Sequence, residues 1–174
     1  MGKSALCVKI AKQFKTTAYF DFSRKIDYEY CKGVDGDCAF TLIPCDTETA
    51  FMVSGELTSS KVKDSLCLVF DDLAYMGDNK FGRERKDYLY ERFCWLQRRM
   101  IDTGVVALVV NQVRIDPMTS RAYNPLSHIL DPRVKLKMHV AERLGSSSRI
   151  YIDAEKGGVN SARTAVIVSK NGVE

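Results

Sequence analysis

The residues with the clearest chemical potential are Asp71 and Asp72, which follow the apolar run Leu66-Cys67-Leu68-Val69-Phe70 with no turn residue between. A run apolar on both faces reads as a central strand of a parallel sheet covered by helices. Asp71 then stands at its carboxyl end, the edge where open α/β sheets bind ligands. A second candidate is Gly2-Lys3-Ser4, which matches the last half of the phosphate-binding loop GxxxxGK[ST]. In that loop backbone N–H groups at a helix start cradle phosphates, the lysine reaches their outer oxygens and the hydroxyl binds Mg²⁺. The tripeptide alone is common by chance, and a helix N-terminus with a serine cap is the competing reading. A third is Asn111-Gln112, two amides directly after the apolar run 105–110, where a ligand-sensing group would stand.

The elements that would position these groups alternate between strand and helix. Leu6, Ile10 and Phe14 recur at helical spacing over residues 5–14. A strand is expected over 17–22, a short helix from about Asp27, and a strand over 39–43 closed by Pro44. Asp46 is a candidate N-cap for a helix to about residue 60, with Phe51 and Leu57 inward. After the strand that ends in Asp71, residues 77–86 form a polar, glycine-flanked stretch expected as an exposed loop. It carries Lys80, Arg83, Arg85 and Lys86 around Phe81. Leu89, Phe93, Leu96 and Met100 then mark a long amphipathic helix, and 105–110 a second fully buried strand. Residues 113–130 show no period and are expected as a loop containing Arg114, Arg121, Tyr123, Asn124 and His128. A helix is expected over 135–147 and strands over 149–153 and 163–169, with a turn over 156–160. The alternation predicts an α/β fold with a parallel sheet.

At 174 residues and 45% hydrophobic, the chain suits one well-buried domain spanning 1–174. No apolar run approaches the roughly 18 residues of a membrane helix, and the first residues lack a signal-peptide pattern, so an intracellular protein without a membrane partner is expected. The six cysteines show no CxxC spacing and several sit inside apolar runs, as reduced thiols acting as small core residues would. His128 and His139 are isolated, which leaves no metal site other than one for Mg²⁺ with nucleotide. The net charge of +4 permits a nucleic-acid partner without requiring one.

Taken in order, these pieces resemble the ATPase core of the RecA family of DNA strand-exchange recombinases over nearly the whole chain. Gly2-Lys3-Ser4 is similar to the end of that family's Walker A loop and Leu68-Val69-Phe70-Asp71 to its Walker B strand. Val109-Val110-Asn111-Gln112-Val113-Arg114 is similar to the strand whose glutamine senses the γ-phosphate and opens a DNA-binding loop. The resemblance implies a RecA-like P-loop core: a mostly parallel sheet with helices on both faces and antiparallel C-terminal strands. It implies ATP and Mg²⁺ as cofactors, with Gly2, Lys3 and Ser4 on phosphate, Ser4 and Asp71 toward the metal, and Asp71 and Gln112 as catalytic groups. It implies Asp27 and Tyr30 against adenine, and Lys170 reaching the ATP of a neighbouring subunit. Residues 77–86 would be a first DNA loop, through Lys80, Arg83, Arg85 and Lys86. The segment from Val113 would be a second, through Arg114, Arg121 and Tyr123. The partners implied are single-stranded DNA and further copies of the chain in a filament or ring.

Two departures qualify this. Ser23 stands where the family carries its water-activating glutamate, and a hydroxyl cannot accept a proton as a carboxylate does. Hydrolysis is therefore expected to be slow or absent unless Asp21 or another acid substitutes. The strand before the phosphate loop and the loop's first half do not precede Met1, which leaves a fragment, an alternative start or a paralogue that no longer uses ATP. The leading expectation is an ATP-dependent recombinase core acting in recombination and repair. The alternatives are a non-hydrolysing accessory protein on the same fold and, lacking an assignable arginine finger, a hexameric helicase motor.

Overall fold

The structure is a computed structural model that describes residues 2–33, 38–59, 65–77, 80–101, 103–123, 135–145, 147–156, 159–169 and 172–173. Four parallel strands form the centre: β1 (Thr16–Asp21), β2 (Ala39–Pro44), β3 (Leu66–Asp71) and β4 (Val106–Val109), in the order β2-β1-β3-β4. Both inner strands end in an acid, and their register pairs Asp21 with Asp71. Every residue of β3 is buried, as a strand covered on both faces requires. β4 differs from the expectation of a second fully buried strand. It forms the edge of the sheet, and Val106 is 38% exposed.

Alternation along the strands sends side chains to two cores. Ala18, Phe20, Leu66, Leu68 and Phe70 point to the face covered by α3 (Thr47–Ser59) and α4 (Gly82–Ile101), where Ala50, Phe51, Leu89, Phe93 and Leu96 meet them. Phe70 is the hub, with ring contacts to Phe20, Phe22, Phe51 and Phe93. Its truncation to alanine would cost about 3–5 kcal/mol, the usual scale for a buried phenylalanine. Tyr19, Cys67 and Val69 point to the opposite face, under α1 (Lys3–Ala11) and α2 (Tyr28–Gly33), against Val8, Ala11 and Cys31. The α1 stripe is thus set by Val8 and Ala11 with Cys7 and Phe14, rather than by Leu6 and Ile10. By the same parity Asp21 and Asp71 lie on the α1 side of the sheet.

Asp46 caps α3 as expected, its Oδ1 accepting from the Thr49 N–H at 2.7 Å. Gly55 inside that helix lies under the Trp95 ring, where a Cβ would stand 2.6 Å from the ring edge. α4 starts at Gly82, so Arg83, Arg85 and Lys86 belong to its first turns rather than to a loop. Acid-base spacing supports that early start: Glu84 lies 3.9 Å from Lys80, and Asp87 lies 3.5 Å from Arg83.

The segment expected to lack structure contains a small antiparallel hairpin, β5 (Arg114–Ile115) with β6 (Ala122–Tyr123). Asp116 closes its turn by accepting from the N–H groups of Met118 and Thr119. A side chain bonding its own turn leaves no periodic signal, which is why the pattern of residues concealed it. The larger correction is at 135–147, expected as a helix. It begins with β7 (Lys135–Leu144), paired with β8 (Ser147–Lys156), then β9 (Val159–Ser169) and β10 (Gly172–Val173) in an antiparallel sheet. Lys135, Lys137 and His139 alternate with Leu136, Met138 and Val140, a strand period that the helix formers 141–144 disguise. A register shift between Val140 and Glu142 interrupts it further. Arg163 opposite Asp153 clamps β9 to β8 with two bonds, Nε to Oδ1 and Nη2 to Oδ2. No helix among the described residues is long and apolar enough to cross a membrane.

Candidate nucleotide site at the sheet edge

Asp71 is 3% exposed, held where β3 ends on the α1 face. Its Oδ2 accepts a hydrogen bond from the Tyr19 hydroxyl at 2.7 Å. Burial pushes the Asp71 carboxyl above its ordinary range, hydrogen bonds from Ser4 and Tyr19 oppose the rise, and the charges of Asp72 and Asp21 add to it. Ser4 therefore reaches Asp71 from the first turn of α1. Gly2 precedes that turn at φ 87°, a left-handed conformation that glycine adopts without penalty. The Cys7 thiol one turn further along faces the same carboxylate. It is pushed up to about 12 by burial and then by the Asp71 charge, with Lys3 acting the other way. The structure thus brings Ser4 to Asp71, joining the first turn of a helix to a buried acid.

Asp72, joined to Asp71 by a cis peptide, is also buried. Its Oδ1 accepts from the Ala74 N–H at 2.8 Å and its Oδ2 from Gln112 Nε2 at 2.5 Å. The sheet ladder continues past β3 and β4, since the Val110 N–H donates to the Phe70 carbonyl and the Leu73 N–H to the Val110 carbonyl. Gln112 is thereby delivered beside the acids. Asp21 is committed elsewhere: its Oδ1 accepts from Ser23 Oγ at 2.9 Å and its Oδ2 from the Ile26 N–H at 2.8 Å, which folds the connection into α2. Lys25 in that connection donates to the Tyr75 hydroxyl at 3.1 Å. Its pKa is raised by that bond first, with Asp72 and Asp21 contributing.

Asp27 directly precedes α2 and Tyr30 lies within it. Asp27 caps that helix, Oδ1 accepting from the Glu29 N–H at 2.9 Å. Tyr30 packs against the α1-face core, its hydroxyl buried without a hydrogen-bond partner. Among the basic residues, Arg85 is turned inward and donates to the carbonyls of Leu73 and Ala74, both at 2.7 Å. Lys80 lies over the Tyr88 ring. Arg83, Lys86 and Phe81 point to solvent, as does Arg121 beyond the hairpin. Val113, Ile115 and Met118 on the hairpin are likewise exposed apolar side chains. Of Arg114 and Tyr123 the backbone positions are described, directly opposite each other in the hairpin. Lys170, Asn124 and His128 lie outside the described residues. Tyr19 was not singled out from the sequence. Its signal was parity, since positions 17, 19 and 21 of one strand share a face with 67, 69 and 71 of its neighbour.

A parallel sheet with helices on both faces and acids at the carboxyl ends of adjacent inner strands defines a RecA-like α/β core. The crystal structure of the RadB recombinase has this fold, with a TM-score of 0.65 and 16% identity over 99% of this chain and 84% of that one. No sequence family matches the chain, and no curated protein does.

The residues present fit Mg²⁺ with a nucleotide. Ser4 and Asp71 supply hard oxygen donors beside each other. Gly2 caps the nine-residue helix that carries Lys3 and Ser4 in its first turn, and the N–H groups of such a turn suit phosphate.

Proposed function

We propose that the chain is the ATPase core of a DNA recombination and repair protein, binding Mg²⁺ and ATP at the carboxyl edge of its parallel sheet. The observation that carries this reading is the convergence of Ser4, Asp71, Asp72 and Gln112 at one edge from three separate segments, the start of α1, the end of β3 and the residues after β4. Gly2 and Lys3 take phosphate, Ser4 and Asp71 face the metal, and Asp27 before α2 and Tyr30 within it lie toward the base. When bound, Mg²⁺ would neutralise phosphate charge. Gln112, tied to Asp72 and followed at once by the β5–β6 hairpin, links the nucleotide edge to a DNA-contacting segment through Arg114, Arg121 and Tyr123. Arg83 and Lys86 on α4, with Lys80, add phosphate contacts, and Phe81 offers a face for base stacking. Copies of the chain assemble on single-stranded DNA, with Lys170 reaching across to a neighbour's nucleotide.

A second reading has its own support. Ser23 and the Ile26 N–H occupy both oxygens of Asp21, and Asp72 is taken by Ala74 and Gln112, so neither acid has an oxygen free of protein donors. That favours nucleotide binding with slow turnover, the behaviour of an accessory protein that uses the fold as a switchable scaffold. Both readings are tested by measuring fluorescent ATP-analogue binding and ATP hydrolysis, each with and without single-stranded DNA. Mg²⁺-dependent binding with turnover stimulated by DNA supports the recombinase, and binding without turnover supports the accessory protein. Absence of nucleotide binding refutes both.

A further inference from the structure

Tyr19 has no exposed surface, sits in the middle of β1 and points into the α1-face core, where its ring packs against Phe40 at 5.6 Å between centroids. A core position of this kind is served by a phenylalanine as well as by a tyrosine, because a buried hydroxyl costs free energy unless it finds a partner. Here the hydroxyl runs diagonally across the sheet from β1 to the end of β3 and meets Asp71 Oδ2 at 2.7 Å. Asp71 is itself nearly sealed from solvent, so the donors around it are protein groups, Tyr19 from below and Ser4 from α1. The two donors differ in one respect. Ser4 is on the first turn of α1, whereas Tyr19 is fixed in a strand and enclosed.

We infer that Tyr19 is the positioning residue for Asp71, its enclosed phenol holding carboxylate oxygen Oδ2 so that Oδ1 remains available toward the cation. The inference rests on the nucleotide reading of this edge. When the Ser4 hydroxyl turns from Asp71 to the metal, Tyr19 keeps the carboxylate from rotating. Outer partners of this kind orient a metal-facing group and typically matter about 10–100-fold in metal affinity. The phenol stays a neutral donor throughout, because burial and then the adjacent Asp71 charge raise its pKa far above the physiological range.

The test is Mg²⁺ titration of fluorescent ATP-analogue binding in wild type, Tyr19→Phe, Asp71→Asn and the double variant. Tyr19→Phe keeps the ring and its packing. The expected result is a Mg²⁺ midpoint raised about tenfold, with nucleotide affinity restored to the wild-type value at saturating Mg²⁺. The double variant should match Asp71→Asn alone. An unmoved midpoint overturns the role. So does a loss of nucleotide affinity that saturating Mg²⁺ does not repair, or a further loss in the Asp71→Asn background, since each marks Tyr19 as packing only. A wild-type protein that binds no nucleotide removes the site reading itself, an outcome distinct from an unmoved midpoint.

Discussion

Gln112 Nε2 donates to Asp72 Oδ2 at 2.5 Å, which ties the segment leaving β4 to the acid that follows β3. The bond crosses between neighbouring strands at their carboxyl ends, and the β5–β6 hairpin begins two residues later. Any change in charge at the acids therefore has a short mechanical route to the hairpin. Replacing Gln112 with alanine removes the tie and leaves Asp72 to its backbone donor. Nucleotide affinity should change less than threefold, while the increase in DNA affinity on adding nucleotide should vanish. Fluorescence anisotropy of labelled single-stranded DNA, with and without the ATP analogue, measures both. A variant that keeps the nucleotide-dependent increase would show that the bond carries no coupling.

The basic residues of α4 separate by environment. Arg83 and Lys86 are solvent-facing, whereas Arg85 holds the turn at Leu73 and Ala74. Alanine at Arg83 or Lys86 should lower DNA affinity and reduce the salt slope of log K by about 1 each, since each phosphate contact releases a counterion. Stability should move by less than about 0.5 kcal/mol. Alanine at Arg85 should behave in the opposite way, unfolding more readily because two carbonyls lose a charged donor. Urea midpoints beside DNA titrations at several salt concentrations distinguish the two cases.

Much of this architecture is legible in the residues, and the exceptions share a cause. The run 66–70 with Asp71 could be read because a strand buried on both faces has few alternatives, and the Asp46 cap because a side chain bonds its own helix start. Neither requires a distant partner. β7 reads as a helix in sequence because Ala141, Glu142, Arg143 and Leu144 favour one locally, and only pairing with β8 overrides that preference. The Tyr19–Asp71 bond was hidden for the same reason, since it depends on which strands lie side by side. The start of α4 at Gly82 was obscured by charge, which reads as loop until its acid-base spacing is counted.

Asp71 should be a residue whose removal makes the protein more stable. Its carboxyl pKa is raised, chiefly by burial, above an ordinary 3.8. Just above that value the native chain binds more protons than the unfolded chain, so stability falls as pH climbs through the interval. At neutral pH the ionised group weighs against folding. In Asp71→Asn the amide oxygen still accepts from Tyr19 and its N–H₂ can donate to Ser4, with no charge to bury beside Asp72 and Asp21. Calorimetry should show a melting temperature about 2–4 °C higher, the scale of roughly 1 kcal/mol in a chain this long. The Mg²⁺ midpoint of nucleotide binding should rise in the same variant. A lower melting temperature would mean that the ionised carboxylate is stabilising in place.

The thiols give a pH dependence on the alkaline side. Burial raises Cys7 and Cys67 to about 12 and Cys31 and Cys45 to about 11, from an ordinary 9.0. Between pH 9 and these values the folded chain keeps protons that the unfolded chain gives up. The stability associated with these four groups is therefore fully present below pH 9 and is lost as pH rises toward 11 and 12. Two measurements follow. At pH 7.5 a thiol with a pKa of about 11 is ionised in roughly one molecule in several thousand, so all four should alkylate far more slowly in the native protein than in urea. Urea midpoints should also fall between pH 9 and 10.5, and replacing Cys31 and Cys45 with alanine should flatten that fall. An unchanged slope would assign the alkaline loss to the tyrosines and lysines instead, and fast native alkylation of Cys31 would show that α2 opens readily from the sheet.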